Sequence, residues 1–224
     1  MAGVDDDQSV EDTESYNETH EDSAEKKTVN KSYSNKRTNI ILVGLPGCGK
    51  SSTGWLLAKQ MGLGFFDTDE WIVSLSRKPI VEIFKNEGES GFRKYEEQVV
   101  KFISNIQNHV ISIGGGLLES DENWKILESR GRLVYLNCSL AELSRRLTVD
   151  PQLSGLKSRP LLADLADVTD KEIREQRLTE RLAILLSRRK ERFLASECIV
   201  GSDYSTAECD AFKVQACLQK LQNF

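Results

Sequence analysis

Hydrophobic positions along this chain fall into short unbroken runs separated by longer periodic stretches, and the alternation begins abruptly after Arg37. Residues 40–43 (Ile-Ile-Leu-Val) and 110–113 (Val-Ile-Ser-Ile) have the continuous apolar character of strands buried on both faces of a parallel sheet, and 132–136 (Arg-Leu-Val-Tyr-Leu) and the short run 198–200 (Cys-Ile-Val) are predicted as further strands. A further strand is predicted over 64–67, closing on Asp67. Between these runs lie helical stretches, the first from Ser51 to about Met61, stopped by Gly62 as a C-cap. Others are predicted over 70–75, 79–85 and 89–105, the last with Phe92, Tyr95, Val99, Phe102, Ile103 and Ile106 on one face. Further helices cover 121–129, the segment from Ser139 to Leu147 with Glu142 in a capping box, 171 to about 194, and 206–222. Strands alternating with helices predict an α/β fold with a parallel sheet and helices on both faces. The pattern fails over 148–170, which Asp150-Pro151, Ser154-Gly155 and Arg159-Pro160 interrupt. A gap of that length in a compact α/β domain reads as a functional loop such as a lid.

Composition divides the chain at the same place. Residues 1–37 hold ten acidic and five basic residues and hardly any large aliphatic ones, so the overall charge of −5 belongs to them. Such a segment buries too little apolar surface to offset its ordering entropy and is expected to be a disordered acidic tail. Residues 38–224 form the expected folded domain and are balanced, with 25 residues of each sign. Balance argues against a broad nucleic-acid or membrane surface and leaves room for a local basic patch. The tail has no apolar stretch of a secretory signal, and its acids argue against a transit peptide.

Five cysteines, Cys48, Cys138, Cys198, Cys209 and Cys217, show neither C-x-x-C nor metal-ligand spacing. Free thiols in a reducing cytoplasm account for them most simply. With only His20 and His109, a histidine-based metal site or triad has almost no material.

The chemistry concentrates after the strands. Gly44-Leu45-Pro46-Gly47-Cys48-Gly49-Lys50-Ser51 fits G-x-x-x-x-G-K-[ST], with a strand before it and a helix after it. In that loop glycines turn backbone N–H groups toward a phosphate, the lysine reaches the outer phosphates, and the serine hydroxyl meets Mg²⁺. The helix N-terminus behind it favours anions further. Asp67 and Asp69 follow the second strand, where one carboxylate can hold Mg²⁺ through water while the other accepts a hydroxyl proton. Gly114, Gly115 and Gly116 follow a third strand, and three glycines there mean that something must approach the backbone closely. Arg159 lies in the expected lid. Phosphoryl transfer needs little more, since its barrier falls by positioning and charge neutralisation.

Together these residues resemble the shikimate kinase family. The likeness runs from about 38 to 200 through Gly44-x-x-Gly47-x-Gly49-Lys50-Ser51, Phe66-Asp67-Thr68-Asp69, Ile83-Phe84, Gly88-Glu89, Phe92-Arg93-x-x-Glu96, Ser112-x-Gly114-Gly115-Gly116 and Arg159-Pro160-Leu161-Leu162. The resemblance implies a three-layer, nucleoside-monophosphate-kinase-like P-loop NTPase fold with a five-stranded parallel sheet of order 2-3-1-4-5 and a mobile lid. It also implies Mg²⁺-dependent transfer of the γ-phosphoryl of ATP to the 3-hydroxyl of shikimate, a step toward chorismate and the aromatic amino acids. By position, Gly47, Cys48, Gly49, Lys50, Ser51 and Ser52 would hold the ATP phosphates, and Lys50 would stabilise the transferred charge. Ser51 and Asp67 would serve the metal, Asp69 would orient or deprotonate the hydroxyl, and Arg159 would close over the phosphates. Arg93 and Gly114 to Gly116 match substrate-binding positions.

A second carboxylate-binding arginine lies in the family within Arg-x-Pro-Leu-Tyr. Counting back from 198–200 puts it at Arg188, with Arg189 and Arg192 as rivals because Pro-Leu-Tyr is absent here. The partners expected are ATP and shikimate for a monomer, with neither nucleic acid nor membrane; the tail's partner is left open. Two alternatives accompany this reading: the same fold acting on another acceptor such as gluconate, and a kinase-like binding protein that has lost catalysis.

Overall fold

The computed structural model describes residues 37–149 and 154–222. The predicted acidic tail, apart from Arg37, and the Asp150-Pro151 break lie outside these residues.

Five strands form one sheet: β1 (Asn39–Val43), β2 (Gly64–Asp67), β3 (His109–Ser112), β4 (Gly131–Asn137) and β5 (Cys198–Gly201). Every pairing is parallel and the order is β2-β3-β1-β4-β5, as expected. All five residues of β1 are buried, which is why this central strand carries no alternation. Parallel strands send all their carboxyl ends to one edge. Registers Asp67↔Ser112 and Leu42↔Ser112 put the ends of β2, β3 and β1 side by side there.

Helices α1 (Lys50–Met61), α2 (Thr68–Ser76), α3 (Ile80–Ile103), α4 (Asp121–Arg130) and α5 (Leu140–Thr148) follow the predicted stretches. The two helices expected at 79–85 and 89–105 run as one element broken at Gly88, whose φ of 69° and ψ of −175° leave the helix. Within the aperiodic stretch lie a single-turn helix, α6 (Ser154–Lys157), and a 3₁₀ turn, Ala163–Asp167. Leu156, Leu162 and Leu165 bury their side chains there, so this part is packed onto the domain rather than free of it. Helices α7 (Lys171–Leu194) and α8 (Ala207–Gln222) complete the chain.

One expectation is corrected here. Cys198 of β5 and Cys217 of α8 are joined in a disulfide, with Cα atoms 6.2 Å apart, while Cys48, Cys138 and Cys209 are free. Nineteen residues separate the pair in sequence. Sequence spacing did not expose the pairing because the return of α8 onto β5 brings the two together.

Ile41 is fully buried at the centre of β1 and its Cδ1 would meet a Cβ on Gly131 of β4 at 2.8 Å. Truncation there leaves a cavity that flanking strands cannot close, so Ile41→Ala should destabilise the domain by about 3 kcal/mol, read from urea denaturation.

Candidate active site

The P-loop forms first in the chain and sets the site's polarity. Gly47 and Gly49 hold φ of 84° and 96°, left-handed values that a side chain rarely adopts, and Gly49 is the N-cap of α1. The loop therefore bends directly into a helix N-terminus, an anion-binding arrangement. Lys50 folds back over it, Nζ donating to the carbonyls of Gly44 (3.0 Å) and Leu45 (3.2 Å). Gly47, Gly49, Lys50, Ser51 and Ser52 line a cavity of about 360 Å³. Cys48 does not: its side chain is fully buried and its N–H donates to Leu45.

Asp67 ends β2 and caps α2, its Oδ1 accepting from the N–H groups of Asp69 (2.9 Å) and Glu70 (3.3 Å). Its Oδ2 accepts from Ser51 Oγ at 2.6 Å, and Ser112 Oγ lies 3.4 Å from that hydroxyl. Asp69 sits in the first turn of α2, where the chain has already left the strand direction, so the two carboxylates diverge. Asp69 opens on the cavity but is flanked by protein. Burial, then the Asp67 charge, raises its carboxyl above the usual aspartate range, against the pull of Lys50 and Arg159.

The glycine triplet explains the rest. A Cβ on Gly114 would overlap Asp69 Oδ1, one on Gly115 would overlap Arg189 Nη1, and one on Gly116 would overlap Arg93 Nη1 and Glu96 Oε1. Each missing side chain is thus replaced by a functional group from another helix. None of the three has a positive φ, so the requirement is space and not backbone twist. The buried Thr68 hydroxyl accepts from Gly114 N–H at 2.7 Å and pins the triplet to the start of α2.

Asp69, Arg93, Arg189 and the triplet line a second cavity, which shares Pro46, Asp69, Gly114, Gly115 and Arg159 with the first. Phe84 and Phe92, with ring centroids 4.7 Å apart, give it an apolar wall. Arg159 reaches both cavities, and burial lowers its pKa from the ordinary arginine value while Asp69 opposes this.

The structure separates Arg188 from its rivals Arg189 and Arg192 by position. Arg188 is exposed and lines neither cavity, whereas Arg189 is buried at 3 % exposure and lines the second. One residue is 100° of helix, so a count made without the Pro-Leu-Tyr anchor lands on a different face from the one that meets the cavity. Arg192 turns elsewhere, pairing with Asp121 and lying over Trp124.

Ser112 and Glu96 stood in the sequence motifs without a role of their own, and Glu119 stood in none. Glu96, three residues after Arg93, accepts from its Nη1 at 2.6 Å. The signal for Glu96 was its i,i+3 spacing and that for Ser112 its place before the glycine triplet; nothing local marks Glu119. Burial pushes the Glu96 carboxyl up to about 7, with Arg93 opposing and Asp69 and Glu119 adding. Burial also raises Glu119, but Arg189 and Arg93 outweigh it and hold that carboxyl below the ordinary glutamate value.

A P-loop at the end of β1, a carboxylate pair at the end of β2 and a pocket beside them to which Arg93, Arg159 and Arg189 all reach define a P-loop kinase for a small acceptor. A profile described as shikimate kinase matches residues 46–201. The shikimate kinase of Thermosynechococcus vestitus is 39 % identical over 175 residues, 77 % of this chain and 86 % of that one. A structure of shikimate kinase from Acinetobacter baumannii in complex with shikimate superposes with a TM-score of 0.70 at 28 % identity, covering 84 % of this chain and 96 % of the other. Shikimate kinase from Aquifex aeolicus gives 0.63 at 27 %, covering 82 % and 98 %. The chain belongs to the shikimate kinase family.

Glu96 supplies a pH test. A folded-state pKa of about 7 against the ordinary 4.5 means that its stabilising neutral form is fully present below pH 4.5 and lost as pH rises through 7. Between pH 5 and pH 8 the native protein should lose about 2 kcal/mol more stability than Glu96→Gln, measured by urea unfolding at both values.

Proposed function

We propose that this protein transfers the γ-phosphoryl of ATP to the 3-hydroxyl of shikimate, giving shikimate 3-phosphate and ADP in the route to chorismate. The observation that carries this reading is the convergence of Asp69, Arg93 and Arg189 on three adjacent glycines, in a cavity continuous with the P-loop. An acceptor bearing both a hydroxyl and a carboxylate fits such a pocket. Two guanidinium groups suit the carboxylate, because their planar forks match it in bidentate fashion. Asp69, on the border of the two cavities, then faces the hydroxyl. Its raised proton affinity makes it a better proton acceptor than an ordinary aspartate.

On the donor side, the P-loop N–H groups and the α1 N-terminus hold the phosphates. Lys50 leaves its loop carbonyls for the transferred group, and Arg159 covers the junction. Ser51 Oγ and Asp67 Oδ2, 2.6 Å apart with Ser112 beside them, are hard oxygens that fit Mg²⁺. Among the described residues no group of three His, Cys, Asp or Glu gathers as a metal cluster. When bound, Mg²⁺ would neutralise charge on the phosphoryl oxygens; Ser51 and Asp67 would hold it.

No helix among the described residues is long and apolar enough to cross a membrane. Use of ATP is the support for a cytoplasmic location, and the Cys198–Cys217 pairing adds none. Residues 38–224 are proposed as the catalytic domain, with 1–37 as an appended acidic segment. An acceptor other than shikimate, or loss of catalysis, has no observation in its favour.

Purified protein given ATP and Mg²⁺ should phosphorylate shikimate, and folded, nucleotide-binding protein that leaves it unmodified overturns the reading. In the same assay Asp69→Asn should lower kcat by roughly 10²–10⁴ while ATP affinity in a binding titration stays unchanged. Arg189→Ala should raise KM for shikimate at least about tenfold, and Arg188→Ala by less than about twofold, since only the former removes a charge-assisted contact.

A further inference from the structure

Two guanidinium groups aimed at one small cavity repel each other, and something has to hold them there before the acceptor arrives. Arg93 has help from its own helix, where Glu89 and Glu96 accept from Nη2 and Nη1, both at 2.6 Å. Neither glutamate bonds to Arg189. That side chain is 3 % exposed, so its charge has lost most of its water and depends on a protein partner.

The partner is Glu119. Its Oε1 accepts from Arg189 Nη2 at 2.6 Å and Nε at 3.2 Å, while its Oε2 accepts from Arg93 Nη2 at 3.2 Å. One carboxylate therefore spans both arginines, one oxygen to each. Both arginines line the acceptor cavity, but Glu119 does not; it lines an adjoining cleft that Arg93 also borders. Nη1 of Arg189 stays over Gly115, on the cavity side. Glu119 is thus a strut behind the pair, leaving the cavity free.

Its backbone is fixed by the same turn that makes room for the arginines. The 3₁₀ turn Gly115–Glu119 begins within the triplet, and Leu117 and Leu118 are each 1 % exposed, anchoring it in the core. The space for Arg189 and the carboxylate that aims it are separated by four residues.

We propose that Glu119 is a positioning residue for acceptor recognition: by bridging Arg93 and Arg189 from the face turned away from the cavity, it fixes their spacing before the carboxylate of the substrate binds. This rests on the reading of Arg93 and Arg189 as the carboxylate-binding pair. Without the bridge, Arg189 seeks another partner or water, and each binding event has to reorder it. The effect belongs on acceptor binding and not on phosphoryl transfer.

Steady-state kinetics on Glu119→Ala, Glu119→Gln, Arg189→Ala and the Glu119→Ala/Arg189→Ala double variant test this. Glu119→Ala should raise KM for shikimate about tenfold with kcat changed less than about twofold, because lost preorganisation weakens binding without touching the transition-state charge. KM for ATP should stay constant, which also reports an intact fold. Glu119→Gln should fall between, since its single carbonyl oxygen can serve one arginine. On the Arg189→Ala background the same change should add less than about threefold, the non-additivity expected when one residue acts through another. An unchanged or lowered KM for Glu119→Ala overturns the proposal, as does an equal tenfold effect on both backgrounds. If Arg189→Ala itself leaves KM for shikimate unchanged, the underlying reading of the pair fails, and this proposal with it.

Discussion

Three absent Cβ atoms at the end of β3 are the constraint on which the acceptor side of this protein depends. Asp69 comes from α2, Arg93 and Glu96 from α3, and Arg189 from α7, yet all press against consecutive glycines. Any side chain at one of these positions would expel a particular functional group: Asp69 at Gly114, Arg189 at Gly115, Arg93 with Glu96 at Gly116. Glycine is required here for close approach, because the backbone angles are ones other residues adopt. The sheet order makes the arrangement useful. With β3 between β2 and β1, the triplet lies next to both the carboxylates and the P-loop.

The donor side uses glycine for the other reason. At Gly47 and Gly49 the loop needs left-handed backbone to feed into α1, and that turn aims N–H groups at the phosphate position. Asp67 links the two halves by holding Ser51 with one oxygen and the first turn of α2 with the other. A residue that would serve the metal therefore also sets the direction of Asp69.

Charge is arranged in opposed pairs throughout. Arg93 and Arg189 bring positive charge to the acceptor pocket, and Glu89 and Glu96 in its lining and Glu119 beside it compensate them. Burial pushes the Glu96 carboxyl up to about 7, so part of that compensation varies with pH. Bonds of this kind place side chains more than they stabilise the fold, since the desolvation of each ion offsets most of the Coulomb gain. Stability comes from the apolar sheet, whose central strand is wholly buried.

Local pattern was sufficient for much of this. Short apolar runs separated by periodic stretches marked the strands and their helices, because the run of a strand and the 3.6-residue period of a helix are properties of neighbouring residues. The P-loop, Asp67, Asp69 and the glycine triplet were legible for the same reason: each is contiguous and follows a strand. What groups from distant elements do together was not legible. The side of α7 that meets Gly115 chose Arg189 over Arg188, by one residue and 100° of rotation. The return of α8 onto β5 paired Cys198 with Cys217, and the turn after the triplet brought Glu119 to two arginines 26 and 70 residues away. Sequence by itself determined the elements and the contiguous motifs. Only the packed tertiary structure decided which side chains face one another across them, because that depends on the rotation and approach of whole helices and no local pattern records it.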